Sequence, residues 1–292
     1  MNAPVPLPLL PALAAALAVF VAGAWGGRLL CFLLEEVGRE SGLPSPHYGR
    51  PGPGPLRAIP ILGRLVPGTG RTAWPALAVE AAAGAAFVLS FEIFPPAKAA
   101  CAAVFFLGLL GATAVDFEHT IIPEVFTVGL AAAGMALSAA VPALHGLGSL
   151  TLVHSVRSLA SALLGLAIGS SLGLWLSVLG EFVFDREVLG FGDVKFLGAI
   201  GAFCGWQGAV FSVFGGAFIG AAAILAAEAG RRMAGSSSSP LFRGGAGSPG
   251  SGRLAWGAEF PFGPMLAAAA ASYFLALHPA VDRVLSPFSA LF

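Results

Sequence analysis

Asp116 in AVDFEHTIIPE and Asp193 in LGFGDVKFLGA are the residues of this chain whose type and setting could do chemistry. Each stands where a long apolar stretch meets a short polar one. A carboxylate at the edge of hydrocarbon is costly, which marks it as a functional candidate. Two carboxylates brought close cannot both ionise easily, so such a pair shares a proton. The ionised member can take a proton from water while the protonated member polarises a carbonyl. That is acid–base hydrolysis of a peptide bond, with no covalent intermediate. Two unrelated interfacial aspartates capping helix ends are the competing reading of the same spacing.

The surroundings of the two aspartates favour a pair. Gly190 and Gly192 precede Asp193 in a predicted tight turn, where glycine permits unusual backbone angles and close approach of another segment. Backbone N–H groups at the helix start can stabilise a carboxylate. Lys195 either holds this turn, favours an ionised Asp193, or snorkels to the interface. Glu124 opens the next predicted helix, where a negative charge suits the N-terminus, and Glu259 before Pro261 and Gly263 could cap the last helix or contact a substrate. Glu80, about two turns into the second helix, should be paired or protonated; a structural polar contact and a methylation role are its two readings. His119 follows Asp116, but no HExxH and no clustered His/Cys ligands accompany it, so no metal site is predicted.

The elements that position these residues are membrane helices. Of 292 residues, 57% are hydrophobic and 10% charged, with fifteen acidic and fifteen basic residues, which excludes a globally basic nucleic-acid binder and points to the bilayer. Eight apolar segments are predicted, about 7–34, 74–94, 98–115, 121–143, 155–182, 193–205, 207–229 and 260–278, the sixth short for a full span. The N-terminal segment lacks a basic region of the secretory type and reads as a retained first helix. Arginines concentrate in 35–73 and 230–259, whereas Lys98, Arg157 and Arg283 lie on the opposite side. Positive-inside bias then places 35–73, 116–120, 183–192 and 230–259 in the cytoplasm, with both aspartates on that face. Residues 41–58 are Pro/Gly-rich and 234–253 low-complexity, so both are predicted to be irregular or flexible. Gly165/Gly169/Gly173 and Gly216/Gly220 have the spacing of helix-packing faces. Cys31, Cys101 and Cys204 all lie in apolar segments and read as buried apolar residues.

LGFGDVKFLGAIGAFCGW resembles the GxGD region of the type IV prepilin peptidases, membrane aspartyl leader peptidases. AVDFEHTIIPE is similar to their first motif, an Asp followed six residues later by Ile-Pro, and EFPFGPMLAAAA to their last-helix signature. RAIPILGRL and WPALAVEAAAGAAF, around Glu80, resemble degraded versions of the region before and within the second helix. The resemblance implies an all-α, polytopic membrane helical bundle of about eight transmembrane segments, of the GxGD aspartyl protease type, as a single membrane domain over 1–292. It implies Asp116 and Asp193 as the catalytic aspartates; Gly190, Gly192, Lys195, Glu124, Glu259, Pro261 and Gly263 are read beside it as supporting or substrate-contact positions. The implied substrates are prepilins or pseudopilins of type IV pilus or type II secretion machinery, cut at the cytoplasmic face of the bacterial inner membrane. Many such enzymes then N-methylate the new N-terminus with S-adenosylmethionine; the peptidase step needs no cofactor.

Several departures fall mostly in the N-terminal third. The paired CxxC motifs of the first cytoplasmic loop are absent, so no bound zinc is expected. GRLLCFLLEE replaces the usual Gly-Ser-Phe-Leu-Asn run, Glu124 stands where a second Asp is common, and the first loop is Pro/Gly-rich. Peptidase activity is therefore better supported than methyl transfer. An ion-coupled transporter using the aspartates as a proton relay, and a non-catalytic relative, are the alternatives. Both aspartates at one membrane face argue against a midplane transport pathway.

Overall fold

The computed structural model describes residues 9–40, 59–65, 73–148, 150–185, 189–234 and 261–287. The described residues are helical and contain no strand, which is how an apolar chain satisfies its backbone where water is absent. In order the helices are α1 (Leu9–Glu40), α2 (Leu62–Leu65), α3 (Ala73–Ile93), α4 (Pro96–His119), α5 (Leu130–Ala140), α6 (Leu152–Phe184), α7 (Phe191–Ala234), α8 (Gly263–Ser272) and α9 (His278–Leu285). Six spans, Pro11–Arg39, Trp74–Ile93, Pro96–His119, Leu152–Val183, Phe191–Gly230 and Gly263–Leu285, are long and apolar enough to cross a membrane, and Val125–Ala140 is a shorter apolar helix. This is a multi-pass membrane helical bundle.

Within the described residues all eight predicted apolar segments fall on helix, but six helices, not eight, are of spanning length. The sixth and seventh run together as α7 but are broken at Gly205, whose φ of 69° and ψ of 179° lie in a region open essentially to glycine alone. α4 runs on to His119, which puts Asp116 inside its last turn rather than at its end. The predicted loop 35–73 begins with helix, since α1 extends to Glu40, and the predicted loop 230–259 begins with the end of α7. Residues 41–58 and 235–260, with the linker readings made for them, lie outside the described residues.

The chain divides into two compact units, residues 1–111 and 112–292. In the first, α1 packs on α3 through small residues: a Cβ at Gly27 would stand 2.8 Å from the Ala83 methyl, and one at Gly84 would stand 2.7 Å from the Phe20 ring. The short segment before α3 is tied to it by Glu80, which is fully buried. Glu80 Oε2 accepts the Ile61 N–H at 2.6 Å and Oε1 accepts the Arg64 Nε–H at 3.2 Å. Ile61 is held at a φ of 63°, which a β-branched residue adopts only when its surroundings impose it.

In the second unit α7 is the central element, packed by α5, α6 and α8. Gly165 and Gly201 lie back to back, each leaving the other's carbonyl no room for a Cβ, and a Cβ at Gly169 would stand 2.5 Å from the Leu197 carbonyl. Gly165, Gly169 and Gly173 are thus one continuous contact face, and it is pressed on the half of α7 that carries Asp193. Without a hydrophobic drive between helices in lipid, this close backbone approach supplies the packing energy. Gly216 plays the matching part toward α8, 3.1 Å from Leu266 by the same measure. The Thr151 side chain accepts the His154 N–H at 3.2 Å and caps the start of α6.

Candidate active site

Asp116 is on the last turn of α4 and is 5% exposed. Its Oδ2 accepts a hydrogen bond from the Gly263 backbone N–H at 3.0 Å. Gly263 is the first residue of α8, with Pro264 behind it, so its amide belongs to the unsatisfied N–H groups of a helix start. The helix thus presents its positive end to the carboxylate. A Cβ at Gly263 would lie 2.8 Å from Asp116 Oδ2, closer than side chains tolerate, and 3.1 Å from Ile122 Cδ1, where the isoleucine would have to give way. Glycine is required there by contact, not by backbone angle. Pro261, just upstream, is buried.

Asp193 is the third residue of α7. Its N–H and that of Val194 donate to the Gly190 carbonyl, at 3.0 and 3.3 Å, closing the turn that opens the helix. The carboxyl groups of Asp116 and Asp193 interact electrostatically. Asp193 Oδ1 is buried without a hydrogen-bond partner among the described residues. A buried carboxyl oxygen left uncommitted is uncommon and calls for an explanation. The flanking glycines are under milder constraint than Gly263: a Cβ at Gly190 would lie 3.6 Å from Asp193 Oδ2, and one at Gly192 would lie 3.6 Å from the Ile122 Cβ.

The segment after α4 joins these parts. Thr120 turns the chain with a φ of 53° while its N–H donates to the Asp116 carbonyl at 2.9 Å. Ile122 is then buried against both Gly192 and Gly263, so all three sequence motifs meet at this one side chain. Glu124 opens the π-helical turn Val125–Gly129, and its Oε1 receives the Lys195 ammonium at 2.7 Å. Lys195 also sits over the Phe191 ring, 5.0 Å from its centroid. Of the three readings open to Lys195, the contact made is one that ties the turn to Glu124. The hydrogen bond and then the charge of Lys195 hold the Glu124 carboxyl below the usual carboxylate range.

The structure therefore gathers Asp116, Asp193, Gly190, Gly192, Gly263, Glu124 and Lys195 in the second unit. Glu80 belongs to the first unit, with both oxygens engaged as described. Glu259 lies outside the described residues. His119 Nε2 stands 3.8 Å from Glu118 Oε2, and no group of three or more potential metal ligands occurs among the described residues. Cys31, Cys101 and Cys204 are buried and unpaired with one another. Ile122 and Thr120 carry the geometry without having been singled out by type. The Ile-Pro spacing after Asp116 was the available signal for Ile122; a threonine gives none for a left-handed turn.

The described residues thus form a multi-pass helical membrane protein with two aspartates near helix termini, one of them beside a GxGD turn. Residues 103–225 match the model of the type IV leader peptidase family. It is 30% identical over 196 residues to a prepilin leader peptidase/N-methyltransferase of Burkholderia pseudomallei, covering 66% of this chain and 52% of the relative. Proteins of the same name from Dickeya chrysanthemi (29% over 140 residues, 47% of this chain and 44% of the relative) and Klebsiella pneumoniae (33% over 132 residues, 44% and 51%) are also similar. The chain spans about half the length of the curated relatives it matches. No solved structure matches it.

Proposed function

We propose that this chain is a membrane aspartyl endopeptidase that removes the leader of type IV prepilins or pseudopilins. The observation that carries the reading is the convergence on Ile122. One aspartate there is held by a helix-start amide, and the other keeps a buried oxygen free. Asp116, oriented by Gly263, and Asp193 share a proton; the ionised carboxylate takes a proton from the attacking water as the protonated one polarises the scissile carbonyl. On collapse the proton passes to the leaving amine. Gly190 and Gly192 leave the approach to Asp193 open, and Lys195, Glu124 and Pro261 support the surrounding backbone.

Charge asymmetry supports a bacterial inner-membrane location with 35–73, 230–259 and the aspartates toward the cytoplasm, and 1–292 working as a single membrane domain. Cleavage before the hydrophobic pilin helix then serves type IV pilus or type II secretion assembly. The relatives' name also includes N-methyltransferase. Both Glu80 oxygens are already committed to Ile61 and Arg64, which supports a structural role for Glu80 and does not fit it as a methyl-transfer group. The transporter reading gains nothing from the family match.

The test is incubation of the full chain, in detergent or vesicles, with a panel of prepilins carrying their hydrophobic helices and with S-adenosylmethionine present, products read by mass spectrometry. A single cut ahead of the hydrophobic helix is expected. An intact panel with well-folded protein would refute the peptidase reading, and an added methyl mass on the mature chain would assign the second activity.

A further inference from the structure

We infer that residues 120–124 form a strap that fixes Asp116 against Asp193, and that the Glu124–Lys195 ion pair is its clasp. The inference rests on the peptidase reading for its consequence, but its geometry stands apart from it. Glu124 and Lys195 are 71 residues apart in sequence, yet their charged atoms lie 2.7 Å apart. Lys195 is two residues beyond Asp193 on α7, and Glu124 is eight beyond Asp116, so the pair ties α7 to the segment that follows α4.

The strap needs such an anchor because it begins in a strained conformation. Thr120 is β-branched and occupies the left-handed region, where only surrounding structure can hold it. Its other fixed point, Ile122, is wedged between Gly192 and Gly263. Asp116 hangs from both ends of this arrangement: its carbonyl accepts the Thr120 N–H, and its carboxylate accepts the Gly263 N–H. Release of Glu124 removes one of the contacts that oppose relaxation of Thr120, and relaxation there would rotate the last turn of α4. An exposed ion pair contributes little to global stability. Here it acts on position, where displacements near an ångström matter to catalysis. Glu124 and Lys195 are therefore positioning residues and touch no reacting atom.

The test is a charge exchange in the full chain: E124K, K195E and the double variant E124K/K195E. Two readouts are taken, kcat and KM for prepilin cleavage, and hydrogen exchange of the amides at 120–124. Each single variant should lower kcat about three- to tenfold with KM nearly unchanged. Exchange at 120–124 should rise in both, and the double variant should recover much of each. Simple loss of folding would not produce recovery in the double variant. Singles with wild-type kcat and exchange, or a double variant as impaired as the product of the singles, would overturn the clasp while leaving the peptidase in place. Failure of the wild type to cleave any prepilin would instead refute the peptidase reading. The exchange readout would then decide the strap alone: reversal in the double variant supports it, and unchanged protection in the singles overturns it.

Discussion

At Gly263 a backbone amide and a missing side chain act on the same carboxylate. The amide holds Asp116 Oδ2 at 3.0 Å, and any Cβ on that residue would intrude to 2.8 Å from the same oxygen. Gly263→Ala should therefore lower kcat by at least about tenfold through displacement of Asp116. The overpacking should cost about 1–3 kcal/mol of stability. Cleavage kinetics alongside thermal unfolding measure both, and the effect on kcat should exceed that of Gly192→Ala, where the Cβ would meet only ordinary contacts. Residue types at motif spacing made Asp116, Asp193 and the glycines legible in the sequence. The hub was not, because Ile122 is one of nine isoleucines, alike in type, and its importance comes from what surrounds it. Likewise Lys195 left three readings open until its partner, far along the chain, was seen to be Glu124.

Helices were legible because apolar runs of spanning length have few other solutions in lipid. Their ends were not, because polar residues such as Glu118 and His119 remain helical past the apolar edge of α4. The Gly205 break fell where the sixth and seventh segments were expected to part, and the GAFCGW stretch holds the one residue type that can adopt its angles. The glycine face of α6 was legible as spacing, but its partner was not. Because Gly165 and Gly201 touch backbone to backbone, Gly165→Leu should drive α6 from α7 and destabilise the protein by at least about 1–3 kcal/mol. A lowered unfolding temperature in detergent is the measurement. In the first unit, Glu80→Ala would remove the carboxylate paired with the buried Arg64 guanidinium and free the strained Ile61. Loss of one partner of a buried pair costs about 3–5 kcal/mol. The expected result is a large fall in stability, whereas a methyl-transfer role would leave stability intact.

Across the whole molecule, charge placement is the feature expected to set orientation. Arg231, Arg232, Arg243 and Arg253 crowd the end of α7 and the segment after it, while Arg157 and Arg283 stand elsewhere in the second unit. The positive-inside bias predicts that a cysteine introduced at Ser251, in a chain cleared of its three native cysteines, is labelled by an impermeant thiol reagent only from the cytoplasmic side of inverted vesicles. Labelling from the opposite side would reverse the orientation and with it the face on which the aspartates act. The measurement that tests the central claim most directly compares wild type with Asp116→Asn and Asp193→Asn for prepilin cleavage at equal, folded amounts of membrane-inserted protein. Asparagine keeps the shape and removes the ionisable carboxyl, so each single change should reduce kcat at least about a hundredfold. Cleavage that survives either change at near wild-type rate would contradict the paired-aspartate mechanism.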